Sequence, residues 1–449
     1  MPDSPPPERI ALTGADCFLR AFDAEVQRTA HASHLSQLVL RLGPGFDTGA
    51  LAKLVSEVTL AQPILRAPIR RPYLVLPPEF RLDLAARAPM PPLIVHEAPG
   101  ADGVAAPLAP IFAQQLNASF PGWAGHLLRC HVVRHDGGRA GTDVAFTWLH
   151  MLFDGAGSER FVRWLDEIGR GARSSRALPE ASAPPAPRAG AQARGQQALR
   201  WQARMKSFAA RPPRSLAGPL VRTQQRLDYE LVTFEREETE RITERARKLA
   251  GFLTPMLFYL AATMRAHHAV FQLRGVDPRS FVVPLPVNLR AKGGQGELFQ
   301  TRISLLWFQA LPEHCGDLER LLGELKAQRL AAIKDGLVEA GTAAMDFARW
   351  LPQRAYARMA RRAFGGELCS FFFAYTDEFL PGMKSFLGAP IRNAFHAPSV
   401  PPSPGSSAIF SLRDGRLNFT HVRQAGVFGA AELARFHARL RADLLGDPG

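Results

Sequence analysis

Residues 147–157 read TWLHMLFDGAG, an apolar run that ends at His150 and continues to Asp154 and two glycines. The residues before it have the apolar character of a strand, and SERFVRWLDEIGRG after it has the apolar spacing of a helix. We therefore expect His150 at a strand-to-helix turn. A histidine there can act as a general base, because its pKa is close to neutrality, or it can be an ordinary core residue.

Asp154 has two readings of its own. Its carboxylate can accept a hydrogen bond from the imidazole, or it can pair with an arginine and fix the turn. Gly155 and Gly157 allow the backbone to approach closely before the helix begins. The segment alone decides neither question, because a His-x-x-x-Asp-Gly match is short.

The rest of the chain contains strand-like and helix-like segments on both sides of a stretch rich in Pro, Ala, Ser, Gly and Arg. A chain of 449 residues is longer than a single core usually supports. We expect residues 1–10 to be disordered, 11–170 to form an N-terminal subdomain, 171–218 to be a flexible basic linker, and 219–449 to form a C-terminal subdomain.

The formal net charge of +14 is concentrated in one region. Residues 171–226 contain eleven Lys or Arg and one acid, a net charge of +10. Such a charge suits nucleic acid, anionic lipid, the phosphates of coenzyme A or an acidic carrier protein. No aromatic-interleaved basic sheet or zinc pattern favours nucleic acid, which we do not expect as a partner.

The four cysteines are widely separated and form no CxxC pair, so we expect neither a metal site nor a disulfide framework. The first residues, MPDSPPPERI, lack the basic and apolar regions of a signal peptide, and no run approaches the roughly 18 apolar residues of a membrane span. We expect a cytoplasmic monomer, with peripheral contact at the inner membrane surface left open.

The motif and the segments around it resemble the coenzyme A-dependent acyltransferase superfamily. Its members include chloramphenicol acetyltransferases, peptide-synthetase condensation domains, plant HxxxD acyltransferases and wax ester synthases. LHMLFDGAGSERFV is similar to the family's active-site motif, and LTGADCFLRAFD to the opening of wax ester synthase-like members. VPLPVNLRAKGGQGELFQTRIS and the segment 381–424 are similar to its downstream segments.

The resemblance implies an α/β (α+β) fold of two chloramphenicol acetyltransferase-like subdomains, with mixed sheets covered by helices and a channel between them. It implies that His150 is the general base and that Asp154 orients the turn, with Arg290 as its candidate partner. Gly155 then carries the family's tight-turn role. We expect no permanent cofactor, since acyl-CoA or acyl-phosphopantetheine is a co-substrate in this family.

Two departures weaken assignment to a subfamily. Leu149 stands where many condensation domains and wax ester synthases have a first histidine, and GGQGELF replaces the family's lGN segment. A tetrahedral intermediate needs an oxyanion donor, for which Ser370, Tyr375 and Thr376 are candidates.

The expected function is transfer of an acyl group from a thioester to a hydroxyl or amine of a small-molecule or lipid acceptor. Two alternatives stay open. One is peptide-synthetase-like condensation of carrier-bound substrates, and the other is a non-catalytic binding module.

Overall fold

The computed structural model describes residues 8–73, 76–99, 108–178, 190–218, 226–252, 254–290 and 297–446. The strands are β1 (Arg9–Ala11), β2 (Leu35–Leu42), β3 (Ile69–Arg70), β4 (Glu79–Arg81), β5 (Leu93–Ala98), β6 (Leu128–His135), β7 (Gly141–Leu149), β8 (Leu227–Thr233), β9 (Phe281–Asn288), β10 (Ile303–Ala310), β11 (Phe372–Glu378), β12 (Ser385–Phe386), β13 (Ala389–Pro398), β14 (Ser406–Arg413) and β15 (Arg416–Gln424). The helices are α1 (Gly14–Ala30), α2 (Thr48–Ala61), α3 (Pro110–Leu116), α4 (Gly155–Gly169), α5 (Ala191–Ala209), α6 (Arg236–Ala250), α7 (Pro255–Leu273), α8 (Leu318–Lys334), α9 (Leu337–Ala348), α10 (Gln353–Arg362) and α11 (Ala430–Leu445).

Two mixed sheets organise the molecule. The larger has the order β12-β13-β2-β7-β6-β5, and the other has the order β11-β14-β15-β8. In each sheet one edge pair is parallel, β5 with β6 and β11 with β14, and the other pairs are antiparallel. A separate hairpin joins β9 to β10, and β1, β4 and β3 form a small third sheet. This is the mixed α/β architecture expected from the sequence.

Each large sheet has its own apolar core. Buried side chains of α1, α2 and α4 pack with the six-stranded sheet, and those of α7, α8 and α11 pack with the four-stranded sheet. Helix α7 is buried along nearly its whole length. No single helix of the described segments is long and apolar enough to cross a bilayer, and α6 and α7 meet that test only as a pair bent by 99°.

The six-stranded sheet takes β12 and β13 from the C-terminal half of the chain. Strand β13 pairs with β2 in antiparallel register from Ile391–Leu42 to Pro398–Ser36. The expected boundary at residue 219 did not anticipate this exchange, because strand pairing across some 350 residues leaves no local pattern. The segment from β11 to β13 therefore ties the two halves together.

The prediction of a flexible linker is wrong for residues 191–209, which form α5. Ala, Gln and Arg are strong helix formers, and Trp201, Met205 and Phe208 fall at helical spacing. Met205 and Phe208 are buried, and the helix packs against α9. The few apolar residues of α5 form one narrow stripe, which a reading based on composition alone overlooks. Residues 179–189 lie outside the described part.

The N-terminal expectation also changes. Residues 1–7 lie outside the described part, but Arg9–Ala11 form β1, which pairs with β4. Backbone N–H and C=O groups of β1 find hydrogen-bond partners through this pairing. Regular structure therefore begins earlier in the chain than the proline-rich start indicates.

Candidate active site

His150 directly follows β7, at the turn that the sequence predicts. Its backbone N–H donates to the carbonyl oxygen of His34 at 3.1 Å. The two imidazole rings lie nearly parallel, with centroids 5.3 Å apart and planes 12° apart. Nδ1 of His150 is buried and finds no hydrogen-bond partner in the described part of the chain. Nε2 is therefore the ring nitrogen left to meet a substrate.

The surroundings of His150 favour the neutral ring. Burial lowers its pKa below the usual value, and the opposing effects of its own carbonyl group and of the Asp154 carboxylate are smaller. At neutral pH the imidazole is therefore unprotonated, which is the form a general base needs.

Asp154 is saturated with hydrogen bonds. It caps α4, where Oδ1 accepts from the backbone N–H of Gly157 at 2.8 Å. Nη1 of Arg290 donates to both carboxylate oxygens at 2.8 Å, and the backbone N–H of Arg302 donates to Oδ2 at 2.7 Å. A carboxylate with these partners holds the turn in place and has little freedom to accept a proton from the imidazole.

The pair of Asp154 and Arg290 joins the two halves of the chain. Both side chains are almost fully buried, with 4% and 2% of their surfaces exposed. Arg290 follows β9, so the contact that the sequence led us to expect is formed across more than 130 residues. A second link lies nearby, where the backbone N–H of Thr301 donates to Asp16 on α1 at 2.8 Å.

The tightest glycine of the motif is Gly157 and not Gly155. A Cβ atom at Gly157 would lie 2.7 Å from the carbonyl oxygen of Leu298 and 2.8 Å from Cβ of Phe153. A Cβ atom at Gly155 would lie 3.3 Å from the His396 ring, which is a milder contact. Gly157 is the more restricted glycine because the connection between β9 and β10 passes close to it. The motif alone does not show this contact.

Two further histidines lie beside His150 and were missed by the sequence analysis. Ser399 Oγ, which accepts from the Leu35 N–H, lies 3.0 Å from Nδ1 of His34. Burial and the charge of His150 lower the pKa of His34 well below its usual value. His34 directly precedes β2, whose first residue pairs with the end of β7, so only the strand pairing reveals it.

The second of these is His396 on β13. Its Nε2 lies 2.7 Å from Oγ of Ser158, and burial lowers its pKa to about 3. Its neutral ring packs edge-on against Phe379. His396 reaches the site only because β13 crosses into the N-terminal sheet.

Two of the three candidates for the oxyanion donor make other contacts in the structure. Ser370 Oγ accepts from the backbone N–H of Val282 at 3.1 Å, which ties the segment before β11 to β9. The ring of Tyr375 stacks on Tyr259 in the second core, and its hydroxyl donates to Asp377. Both are therefore better explained by packing. Thr376 lies on the opposite face of β11 from Tyr375, and its role as an oxyanion donor stays a prediction.

A continuous row of rings leads away from His150. His34 contacts Phe22 at 5.7 Å between centroids, and Phe22 contacts Phe18 at 4.5 Å. Phe18 in turn contacts Tyr356 of α10 at 6.2 Å. We call His34, Phe22, Phe18 and Tyr356 the aromatic row. It gives the neighbourhood of His150 an apolar wall on the side of α1.

No group of three His, Cys, Asp or Glu side chains in the described residues is arranged to hold a metal ion.

Comparison with known proteins assigns this architecture to the fold of condensation domains and related acetyltransferases. The first condensation domain of the calcium-dependent antibiotic synthetase, in complex with a substrate analogue, matches with a TM-score of 0.69 at 16% identity over 97% of this chain and 95% of that chain. Trichothecene 15-O-acetyltransferase from Fusarium sporotrichioides matches with 0.66 at 11% identity over 97% and 94%. Polyketide synthase associated protein 5 from Mycobacterium tuberculosis matches with 0.60 at 14% identity over 95% and 98%.

These structures share the two-subdomain fold that the sequence resemblance implied, so that expectation is confirmed. No family model matches the sequence. No curated protein matches it either. The likeness therefore lies in the arrangement of the chain, with little sequence in common.

Proposed function

We propose that this protein transfers an acyl group from a thioester to a hydroxyl or amine acceptor, with His150 as the general base. The observation that carries the proposal is the state of His150, which is a half-buried imidazole whose pKa is lowered by its surroundings, with Nδ1 enclosed and no hydrogen bond from the described residues to Nε2. It lies in a turn clamped by the buried pair of Asp154 and Arg290. A fold shared with condensation domains and an acetyltransferase supports the same chemistry.

The reaction needs no covalent acyl-enzyme. Nε2 of His150 takes the proton of the acceptor as the acceptor's oxygen or nitrogen attacks the thioester carbonyl carbon. The tetrahedral intermediate then collapses with breakage of the carbon–sulfur bond, and the imidazolium returns the proton to the leaving thiolate. The Asp154 carboxylate stabilises the transient positive charge on the ring, and the clamp keeps the ring nitrogen in place.

The donor is acyl-CoA or an acyl group on phosphopantetheine. The test is release of free thiol by the purified full chain, supplied with acyl-CoA donors of several lengths and a panel of alcohols and amines. We expect His150→Ala and His150→Gln to lower thiol release by about 10²- to 10⁴-fold, the usual contribution of a general base. His268→Gln, on α7 in the second core, serves as the matched control.

An unchanged rate of thiol release in both His150 variants would rule out His150 as the general base. The resemblance to condensation domains also supports carrier-bound donors, for which an acidic carrier protein is the partner. Turnover of acyl groups on a carrier protein, without turnover of the free coenzyme A thioesters, would favour condensation over simple acyl transfer. Absence of thiol release from either donor would favour the non-catalytic alternative.

A further inference from the structure

Helix α10 presents a stripe of arginines to solvent. Arg354, Arg358 and Arg362 follow one another at four-residue intervals, so they share one face of the helix, and all three are exposed. The opposite face carries the buried residues Tyr356 and Arg361 and packs against α1. The arginine stripe, which consists of the three exposed arginines, therefore points away from α1.

No acid balances the arginine stripe. Residues 347–366 contain five arginines and neither Asp nor Glu. Arg361 is paired with Glu25, whereas no carboxylate in the described part of the chain pairs with the arginine stripe. Asp346, just before this run, is half-buried, and its carboxylate lies beside Gly14 of α1. Like charges four residues apart on a helix repel, so the stripe favours an anionic partner.

Large aromatic side chains are exposed beside the stripe. Trp350, in the link between α9 and α10, is 44% exposed, and the guanidinium of Arg349 lies over its ring at 5.5 Å. Nη1 of Arg71 donates to the carbonyl oxygen of Trp350 at 3.2 Å, which holds the segment after β3 against this link. Tyr73, two residues further along that segment, is 70% exposed. Two exposed rings therefore lie near the start of α10.

The segment after β3 also leads to a second tryptophan. Trp123, before β6, is 63% exposed, and the guanidinium of Arg70 lies over its ring at 5.8 Å. Because Arg70 directly precedes Arg71, this segment lies between the two exposed tryptophans. Phe347 at the end of α9 and Met359 on α10 add exposed apolar side chains. The basic aromatic patch is our name for the arginine stripe together with Tyr73, Trp123, Phe347, Trp350 and Met359.

We propose that the basic aromatic patch docks this protein on an anionic lipid bilayer. Trp and Tyr rings combine an apolar body with a polar edge, which suits them to the boundary between lipid headgroups and acyl chains. Arginines beside them meet the lipid phosphates while their stems cover apolar surface. The patch offers both kinds of contact on one surface.

The apolar members of the patch favour lipid over other anionic partners. A single-stranded nucleic acid offers phosphates and flat bases, which suit the rings and the arginines but give Met359 little to pack against. A bilayer covers the apolar side chains and meets the arginines at once, because its acyl chains and phosphates are adjacent layers. Docking itself does not depend on the proposed reaction. A lipid acceptor supplied by the membrane would rest on that proposed function.

The test is co-sedimentation of the full chain with vesicles made of equal parts phosphatidylglycerol and phosphatidylcholine, and with vesicles of phosphatidylcholine alone. Each arginine near an anionic surface contributes about fivefold to affinity. The triple variant Arg354→Gln/Arg358→Gln/Arg362→Gln should therefore bind the anionic vesicles about 100-fold less tightly than wild type. High salt should weaken the binding of wild type in the same direction, because it screens these charges.

A matched control removes three exposed charges outside the patch, on α2, α6 and α8, in the variant Lys53→Gln/Lys248→Gln/Arg320→Gln. Charges more than a Debye length from the membrane are screened, so this variant should bind within about threefold of wild type. Trp350→Ser should weaken binding to both kinds of vesicle, because it removes apolar contact that does not depend on lipid charge. His150→Ala should bind as wild type does, which separates docking from the reaction.

The proposal is overturned if wild type does not bind anionic vesicles, or if the stripe variant and the control variant bind them equally. Binding of single-stranded RNA or an acidic carrier protein through the stripe, without binding to vesicles, would also overturn it and assign the patch to that partner. If the triple variant is less stable than wild type in thermal unfolding, Arg358→Gln alone should lower affinity about fivefold, and an unchanged affinity would count against docking. Absence of thiol release from all donors would count against the reaction alone.

Discussion

Replacement of Asp154 by Asn separates a clamp from a catalytic group. The substitution keeps the size of the side chain and one oxygen, so α4 keeps an acceptor for its N-terminal N–H groups. It removes the negative charge that Arg290 meets with two hydrogen bonds of 2.8 Å. The Arg290 side chain is only 2% exposed and cannot turn to water in place.

The expected cost follows from this burial. Breaking a buried ion pair by removal of one partner costs about 3 to 5 kcal/mol, because the remaining charge stays in the interior without a partner. The backbone N–H of Arg302, which donates to Oδ2, adds to the cost if it loses its acceptor. Arg290→Met should also destabilise the protein. The double variant should cost clearly less than the sum of the single variants, because neither charge is then left alone.

Urea unfolding followed by tryptophan fluorescence measures this cost. Trp148 is a suitable reporter, since it is fully buried in β7 and its indole N–H donates to the carbonyl oxygen of Phe153 inside the same turn. We expect thiol release to fall in Asp154→Asn together with stability, and the pH at which activity is half-maximal to move down, because the Asp154 charge raises the pKa of His150. Wild-type stability in this variant would refute the clamp.

Three further predictions concern the same turn. Burial holds the pKa of His150 below its usual value. We therefore expect kcat/KM to rise with pH below about 6.5 and to be flat from pH 7 to 8. A half-maximal kcat/KM at a pH above 7 would contradict this prediction. His34→Phe keeps a flat ring against His150 and should retain activity within about tenfold of wild type. His34→Ala admits water and should move the acid limb of the pH profile toward 6.5. Equal pH profiles for the two variants would argue against the stacking role of His34. Gly157→Ala should destabilise the protein by about 1 to 3 kcal/mol through its clash with the carbonyl oxygen of Leu298, with Gly155→Ala as the milder control in the same urea assay.

Short-range patterns allowed much of the fold to be predicted. The hairpin of β6 and β7, the hairpin of β14 and β15 at Asp414 and Gly415, and the helix after the motif all follow from apolar spacing and turn residues. Thr13 caps α1 in a capping box with Asp16, three residues further on. These features depend on residues a few positions apart, so the sequence displays them directly.

Composition is a poor guide to structure where the apolar residues of a segment are few. Helix α5 lies in a segment rich in Ala, Gln and Arg, and its buried contacts depend on the single stripe of Trp201, Met205 and Phe208. These side chains are buried because α9 packs against α5, and the sequence of α5 does not show this contact. The same segment, with residues 179–189 outside the described part, still joins the two halves.

The sequence by itself predicted that His150 lies at a strand-to-helix turn, and the family resemblance implied that Asp154 orients this turn with Arg290 as its candidate partner. Only the tertiary structure decided which groups surround that turn. His34 is brought in by the pairing of β2 with β7, and His396 by the pairing of β13 with β2. The burial that keeps these rings neutral arises from segments far apart in the chain. Their closeness is a property of packing, which local sequence patterns do not encode.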